Sequence, residues 1–512
     1  MADAADERTF VADPKFVDVV RELKERGYRS LPLWSERGSV SWRNLAKTRF
    51  ESSFDVVNHL AHSQRLSHKG TLARLWFDDT ESFFPRCYDL RDERHCEAFL
   101  REAGLRVARG RLAKALNDWT ETEDDPELLA LLDICEMKEN IEVGGISWRR
   151  AFGHESLLEE ENEDSKKRGG SLNLRERACR VLLREKKEPV NSGAYVLKPA
   201  GGSCGVGITC SKSLRTILEA AKAADFKVVV QQYIERPLLV RGRKFDVRQW
   251  LIMTHVDACR VYGYSRNYAR FASEKWSLDS LQDRFAHLCN YSVQKDNVSS
   301  IKYADGFAPF SGNMWTDNDL AKFLHETRRP RAYEEIIKPQ LKDLAKHVAK
   351  VAQRAGLRKT SPKAFEWLGI DLIIDEDLRL WLLEINVSPD VSHSTPVTAD
   401  LLPQATKDAL NLILDDHGLR QTTTEDTTQQ NPRKDEGNWD LWYEEDNNEA
   451  TQLPQDTFSY AAPEVISAFW HNLQARAFPN KNKIYHDRTD DDDDEEKNKR
   501  EEDSSSSEDD EI

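Results

Sequence analysis

Gly369-Ile-Asp-Leu-Ile-Ile-Asp-Glu-Asp-Leu-Arg-Leu-Trp-Leu-Leu-Glu-Ile-Asn386 is the stretch that decides the fold. It reads as an apolar strand, a polar turn and a second apolar strand. Glu384 and Asn386 are two residues apart, so on a strand both side chains leave the same face. A turn centred near Asp377 and Leu378 sets Asp371 opposite Glu384. Three oxygen-bearing side chains then converge, with Ile373, Leu382 and Ile385 as apolar neighbours on both faces. Carboxylates in such a setting are costly unless a cation accompanies them. Hard oxygen ligands suit Mg²⁺, which commonly bridges nucleotide phosphates. Asp371, Glu384 and Asn386 are therefore the expected metal ligands.

Upstream, residues 195–208 read YVLKPAGGSCGVGI. A short apolar strand delivers Lys198 and then a glycine-rich loop. Glycines let backbone N–H groups approach phosphate oxygens, and the lysine adds a point charge. No Gly-Lys-Ser/Thr follows, so this is not a P-loop. On a strand, Lys244, Asp246 and Arg248 project from one face. Arg266, Arg270 and Asn290 follow. Cations and backbone donors for a triphosphate, carboxylates for Mg²⁺ and further cations for a second anion suit phosphoryl transfer to a carboxylate. Around these pieces, 228–230 and 247–254 read as strands and 334–356 as an amphipathic helix with Pro339 in its first turns. Mixed strands and helices predict an α/β (α+β) fold. No internal repeat is visible. The aromatic cluster at 83–88 (FFPRCY) reads by itself as packing.

The chain has 512 residues, 74 Lys plus Arg against 90 Asp plus Glu, and a formal net charge of −16. That charge is unevenly spread. Residues 487–512 hold 15 acidic and 4 basic residues, and 421–450 hold 9 and 2. Residues 1–420 come to only +1. Acidity therefore belongs to the C-terminal end, where 487–512 should be disordered. No run of about 18 apolar residues occurs, so a soluble protein with no membrane partner is expected. The first residues, MADAADERTF, lack the pattern of a secretory signal. Eight cysteines stand singly, which predicts reduced thiols and an intracellular setting.

In order along the chain, the pieces FFPRCY (83–88), Lys198-Pro199 with Gly205-x-Gly207-Ile208, Gln231-Gln232-Tyr233-Ile234, KFDVR (244–248), HLCNYSVQK (287–295), Asn313-Met314-Trp315, Asp371 and Glu384-Ile385-Asn386 form one combination. It resembles the ATP-grasp catalytic core of the tubulin tyrosine ligase-like family and is most similar to the glycylase branch. The resemblance implies that Lys198, Gly205, Gly207, Ile208, Gln231, Gln232, Tyr233, Ile234, Lys244 and Asp246 bind ATP. It implies that Arg248, Arg270 and Asn290 are catalytic, and that Mg²⁺ sits on Asp371, Glu384 and Asn386. Two departures stand out. Cys204 and Val206 replace a basic residue beside the loop glycines. Tyr264-Ser265-Arg266 carries its arginine one position later than in relatives, and one position on a strand reverses the face. The resemblance does not place the family's early ATP-binding lysine.

The domains implied are an N-terminal region at 1–170, ATP-grasp central and C-terminal catalytic domains at 171–420, an acidic linker at 421–450, a short helical segment at 451–486 and the acidic tail at 487–512. The linker would dock a short segment around Trp439 and Trp442. The reaction implied joins free glycine to glutamate side chains in tubulin tails through an acylphosphate, and initiation is preferred over elongation. A glutamate-adding ligase and a catalytically silent microtubule binder are the alternatives. The implied partners are microtubules and glycine, with no nucleic acid, for a monomer in the cytoplasm and cytoskeleton of cilia or flagella. Because the charge burden is terminal, the acidic tail should compete with the substrate's acidic tail for a basic groove, most strongly at low salt. Truncation after Asn482 is expected to lower the apparent KM for microtubules, measured by steady-state ligation.

Overall fold

Strands occupy the branched and aromatic stretches of the chain. In chain order they are β1 (Thr9–Ala12), β2 (Arg29–Ser30), β3 (Arg37–Trp42), β4 (Ser53–Val57), β5 (Cys87–Asp89), β6 (Tyr195–Pro199), β7 (Thr209–Ser211), β8 (Val228–Gln232), β9 (Leu239–Val240), β10 (Arg243–Thr254), β11 (Arg260–Phe271), β12 (Met314–Thr316), β13 (Lys363–Ile374), β14 (Leu380–Val387) and β15 (Trp439–Glu444). The computed structural model describes residues 8–45, 53–77, most of 83–103, most of 193–298, 313–414 and 438–445. These belong to one compact unit, 1–103 with 188–460. The expected polar loop at 155–170, the helical segment at 451–486 and the acidic tail lie outside the described residues, as does most of the acidic linker.

Two sheets organise the described unit. The larger runs β12-β11-β10-β13-β4-β3-β1-β2, with β14 on β13, β15 on β11 and β9 on β10. Its β1–β4 pairings are parallel, as is β4 on β13. The pairings of β10, β11, β13 and β14 are antiparallel. The smaller sheet is antiparallel, in the order β5-β8-β6-β7. The expected mixed α/β class is what forms.

Both faces of the β10–β11–β13 centre are covered, which explains its near-continuous apolar character. On one face lies the helix Lys338–Arg354, entered through a π-turn at Tyr333–Ile337. Its buried Leu341, Leu344, Val348 and Val351 share a core with Val247, Leu251, Leu368 and Leu372. Pro339 sits in its first turn, directly after the π-turn. On the other face, Leu401, Leu402 and Leu410 of the helix Pro396–Leu414 pack with Trp250, Tyr264, Phe365 and Trp367.

The predicted hairpin is present. The Asp375 N–H donates to Arg379 O at 3.0 Å, and Leu378 takes φ +64° in the turn. A register shift follows Asp371, yet Asp371 still faces Glu384.

The described residues of the acidic stretch after 421 form the strand β15. Trp439 packs at a tilt against Tyr264 and edge-to-face against Trp367, with ring centroids 5.1 and 5.3 Å away. Trp442 lies flat against Gly263, where an added Cβ would meet the ring at 2.1 Å. Gly263→Ala should therefore destabilise the fold by about 1–3 kcal/mol through overpacking. Urea unfolding of a double-mutant cycle tests this: in Trp442→Ala the glycine substitution should cost almost nothing more.

Candidate active site

Register assembles the charged cluster. Across neighbouring strands, Glu384 faces Asp371, Asp371 faces Arg248, and Asp246 faces Arg270. Arg248 donates from Nε to Asp371 Oδ1 at 2.5 Å and from Nη2 to Oδ2 at 3.1 Å. Arg270 grips Asp246 in the same two-pronged way, at 2.6 and 2.9 Å, and its Nη2 also lies 2.9 Å from Asp371 Oδ2. All four side chains are buried. Burial opposes the charge of Asp371, but Arg248 and Arg270 more than offset it and hold its carboxyl well below the usual range. Burial pushes Asp246 up, with Arg270 opposing.

Beside this cluster runs a cleft walled by β6, β8, the glycine loop and the 287–290 segment. Lys198 is buried there and donates to Gln231 Oε1 at 2.6 Å. Its own burial lowers its pKa, and the nearby Glu384 works the other way. Lys244 donates to His287 O at 2.9 Å and rests 4.8 Å from the centroid of the Tyr233 ring. Gln231, Gln232, Tyr233 and Ile234 line the wall, as do Gly205, Ile208, Asp246 and Asn290. Gly205 and Gly207 take φ +74° and +72°, and a Cβ on either would come within 2.9 Å of Val293 or Pro199. The loop therefore requires glycine at both positions. Cys289 also lines the cleft, and burial pushes its thiol up to about 12. It is a neutral wall group.

Of the predicted metal ligands, Asp371 and Glu384 line the cleft. Asn386 ties them together, its Nδ2 donating to Asp371 Oδ2 at 3.2 Å and Glu384 Oε1 at 3.3 Å. Two carboxylates and an amide fit Mg²⁺, which takes one or two protein carboxylates and completes its shell with phosphate and water. No group of three or more His, Cys, Asp or Glu side chains placed to hold a metal occurs among the described residues. A metal shared by the two carboxylates therefore needs the Asn386 amide turned over, so that Oδ1 replaces Nδ2 between them. Arg248, Arg270, Gly207 and Asn386 stand just behind the lining residues.

Lys69 is a site residue that sequence reasoning left unplaced. It opens the helix Lys69–Leu75, and its Nζ lies 3.2 Å from Glu384 Oε2 and donates to Gly202 O at 2.7 Å. No local pattern distinguishes it, because its partners come from the glycine loop and β14. Arg266, the displaced arginine, donates to Asp317 Oδ1 at 2.6 Å at the start of the helix Asp317–Thr327. It anchors that helix rather than lining the cleft.

His287 accepts from Tyr233 OH at 2.6 Å, while its Nε2 donates to Ser280 O at 3.0 Å. Burial, helped by Lys244, lowers its pKa to about 4. The unfolded chain takes this proton near 6.5 and the folded chain near 4. The stability His287 contributes is thus complete above pH 6.5 and is lost as pH falls towards 4. In His287→Gln, the fall of Tm between pH 6.5 and 4 should be shallower than in the parent, as read by thermal melts.

The sequence model of the tubulin-tyrosine ligase family matches residues 159–423. The chain is 29% identical over 445 residues to tubulin monoglycylase TTLL3 of Mus musculus, covering 75% of this chain and 46% of that protein. It is 39% identical over 229 residues to protein monoglycylase TTLL8 of Homo sapiens, covering 43% and 26%. Against tubulin glycylase 3C of Tetrahymena thermophila it is 25% identical over 514 residues, covering 82% and 47%. The chain spans about half or less of the length of these relatives. Their names bear out the glycylase branch expected from the motifs, and the ATP-grasp-type core agrees with the two sheets. With more than half of its residues matched, the chain belongs to the tubulin-tyrosine ligase family.

Proposed function

We propose that this protein is an ATP-dependent ligase that joins glycine to glutamate side chains of tubulin tails, beginning a side chain rather than extending one. The observation that carries the proposal is the pair of buried arginines, each gripping an aspartate, beside a lysine-lined cleft. Such an arrangement is preorganised for transferring a phosphoryl group between anions, where charge must be absorbed without solvent.

In this reading the strand end 231–234 meets the adenine, and the N–H groups around Gly205 and Gly207 approach the phosphates together with Ile208. Lys198 and Lys244 neutralise phosphate charge from two sides, and Lys69 adds a third cation. Asp246 keeps Arg270 aimed, as Asp371 keeps Arg248 aimed. The arginines orient the acceptor carboxylate, and Asn290 lies near the phosphates. Asp371, Glu384 and Asn386 would hold Mg²⁺, which would supply further charge neutralisation. The acceptor carboxylate takes the γ-phosphoryl group and ADP departs. The glycine amine then attacks the acyl carbon and loses a proton. Phosphate leaves with the C–O bond, and an isopeptide forms. The same reading has a monomer acting on microtubules of cilia or flagella, in the cytoplasm.

The test uses purified full-length protein, tubulin, Mg·ATP and labelled glycine or glutamate in parallel, with mass analysis of the tails. Glycine incorporation is expected. Incorporation of glutamate alone would replace the proposed donor, and incorporation of neither would remove the enzymatic reading. Glu384→Gln should lower ligation by about 100-fold or more while microtubule binding persists, because it removes a charged ligand. Retained activity would show the metal assignment to be wrong.

A further inference from the structure

Asn386 is the last residue but one of β14, and what fixes the chain immediately beyond that strand bears on where its side chain points. Ser388, two residues on, has φ +52°, a backbone region that non-glycine residues adopt only when their surroundings hold them there. Its Oγ lies 3.0 Å from His59 Nε2. His59 Nδ1 lies 2.8 Å from Glu366 Oε1, and Glu366 Oε2 accepts from the Leu60 N–H at 3.0 Å. His59 and Glu366 are fully buried. The row therefore runs from the middle of β13, through the segment after β4, to the first residue past β14.

Serine, histidine and acid in a row invite comparison with a nucleophile and its base, but two facts argue against that role. Arg43 O lies 2.9 Å from the same Nε2. Asn58 Nδ2 lies 3.2 Å from it as well, so a backbone carbonyl and an amide share this nitrogen with Ser388, and it is not given over to a nucleophile. Pro389 follows Ser388, so the next residue has no N–H to offer an oxyanion.

Packing points to a different role. Pro389 lies on Gly369, the partner of Asn386 across the β13–β14 ladder. A Cβ on Gly369 would meet Pro389 Cβ at 2.9 Å and Arg248 Nη1 at 3.1 Å. The turn at 388–389 is thus pressed against the backbone beneath Arg248 on one side and held by His59 on the other. We infer that His59, fixed by Glu366, is a positioning residue that acts through Ser388 to set Asn386 and Arg248 just behind the cleft lining. The inference rests on the proposed function for the identity of what those two residues face.

Ser388→Ala is the cleanest probe, since Ser388 is only half-buried and its loss leaves no buried charge. Calorimetry of the full-length protein would measure ADP affinity without divalent cations, and then the Mg²⁺ concentration that half-saturates the enhancement of ADP binding. Second-sphere changes typically cost about 10–100-fold in metal affinity or activity. For Ser388→Ala, half-saturating Mg²⁺ should rise by about 10-fold and ligation kcat should fall similarly. ADP affinity without metal and the thermal midpoint should stay near those of the parent. His59→Ala combined with Ser388→Ala should be no worse in Mg²⁺ dependence than His59→Ala alone. An unchanged Mg²⁺ dependence in Ser388→Ala, or additive effects in the pair, would overturn the inference. A parent that binds Mg·ADP but ligates no amino acid would instead count against the functional reading, leaving the positioning role to be judged on Mg²⁺ dependence. A parent whose ADP binding takes no enhancement from Mg²⁺ would overturn both.

Discussion

The pairing of Arg248 and Arg270 with Asp371 and Asp246 is the constraint on which the rest of the structure depends. Each partner is nearly shielded from water, and taking a lone charge out of water costs several kcal/mol. Breaking a buried pair by removing one partner is therefore far more damaging than never having had it. The four charges cancel, and their bidentate geometry satisfies most of their hydrogen-bonding capacity. That geometry exists only while β10, β11 and β13 keep register. The two apolar cores on either side of those strands enforce the register, since a slip of one residue would bring charges to the wrong face. The core and the site are thus mutually dependent.

Much of this was legible in sequence because it is local. The hairpin, the opposition of Asp371 and Glu384, and the shared face of Lys244, Asp246 and Arg248 follow from a two-residue period. The glycine loop was legible as a loop, and positive φ at Gly205 and Gly207 gives the physical reason. The motif resemblance added what period alone could not, by ordering pieces that lie far apart in the chain.

What escaped was set by distant partners. Lys69 has no local signature, and its place depends on Gly202 and Glu384. Arg266 carried an open question that only Asp317 answers. For Arg248 and Arg270 the resemblance implied a catalytic role but gave no protein partner, and the structure binds them to Asp371 and Asp246. These arginines are held before any substrate arrives, which lowers the reorganisation needed when charge develops. The strand β15 escaped in detail because a bulge breaks its two-residue period, so that adjacent Trp442 and Tyr443 pack against one core.

That strand lies past residue 423, where the match to the family ends, yet it is hydrogen-bonded to β11 from Arg260 to Tyr264. The evolutionary boundary and the folding boundary therefore differ. A fragment cut where the family ends would bare a row of unpaired N–H and C=O groups along β11, together with the aromatic faces of Tyr264 and Trp367. An uncovered edge of that kind recruits other strands. Aggregation of such a fragment would reflect the loss of its edge cover, and would say nothing about whether the catalytic core is sound.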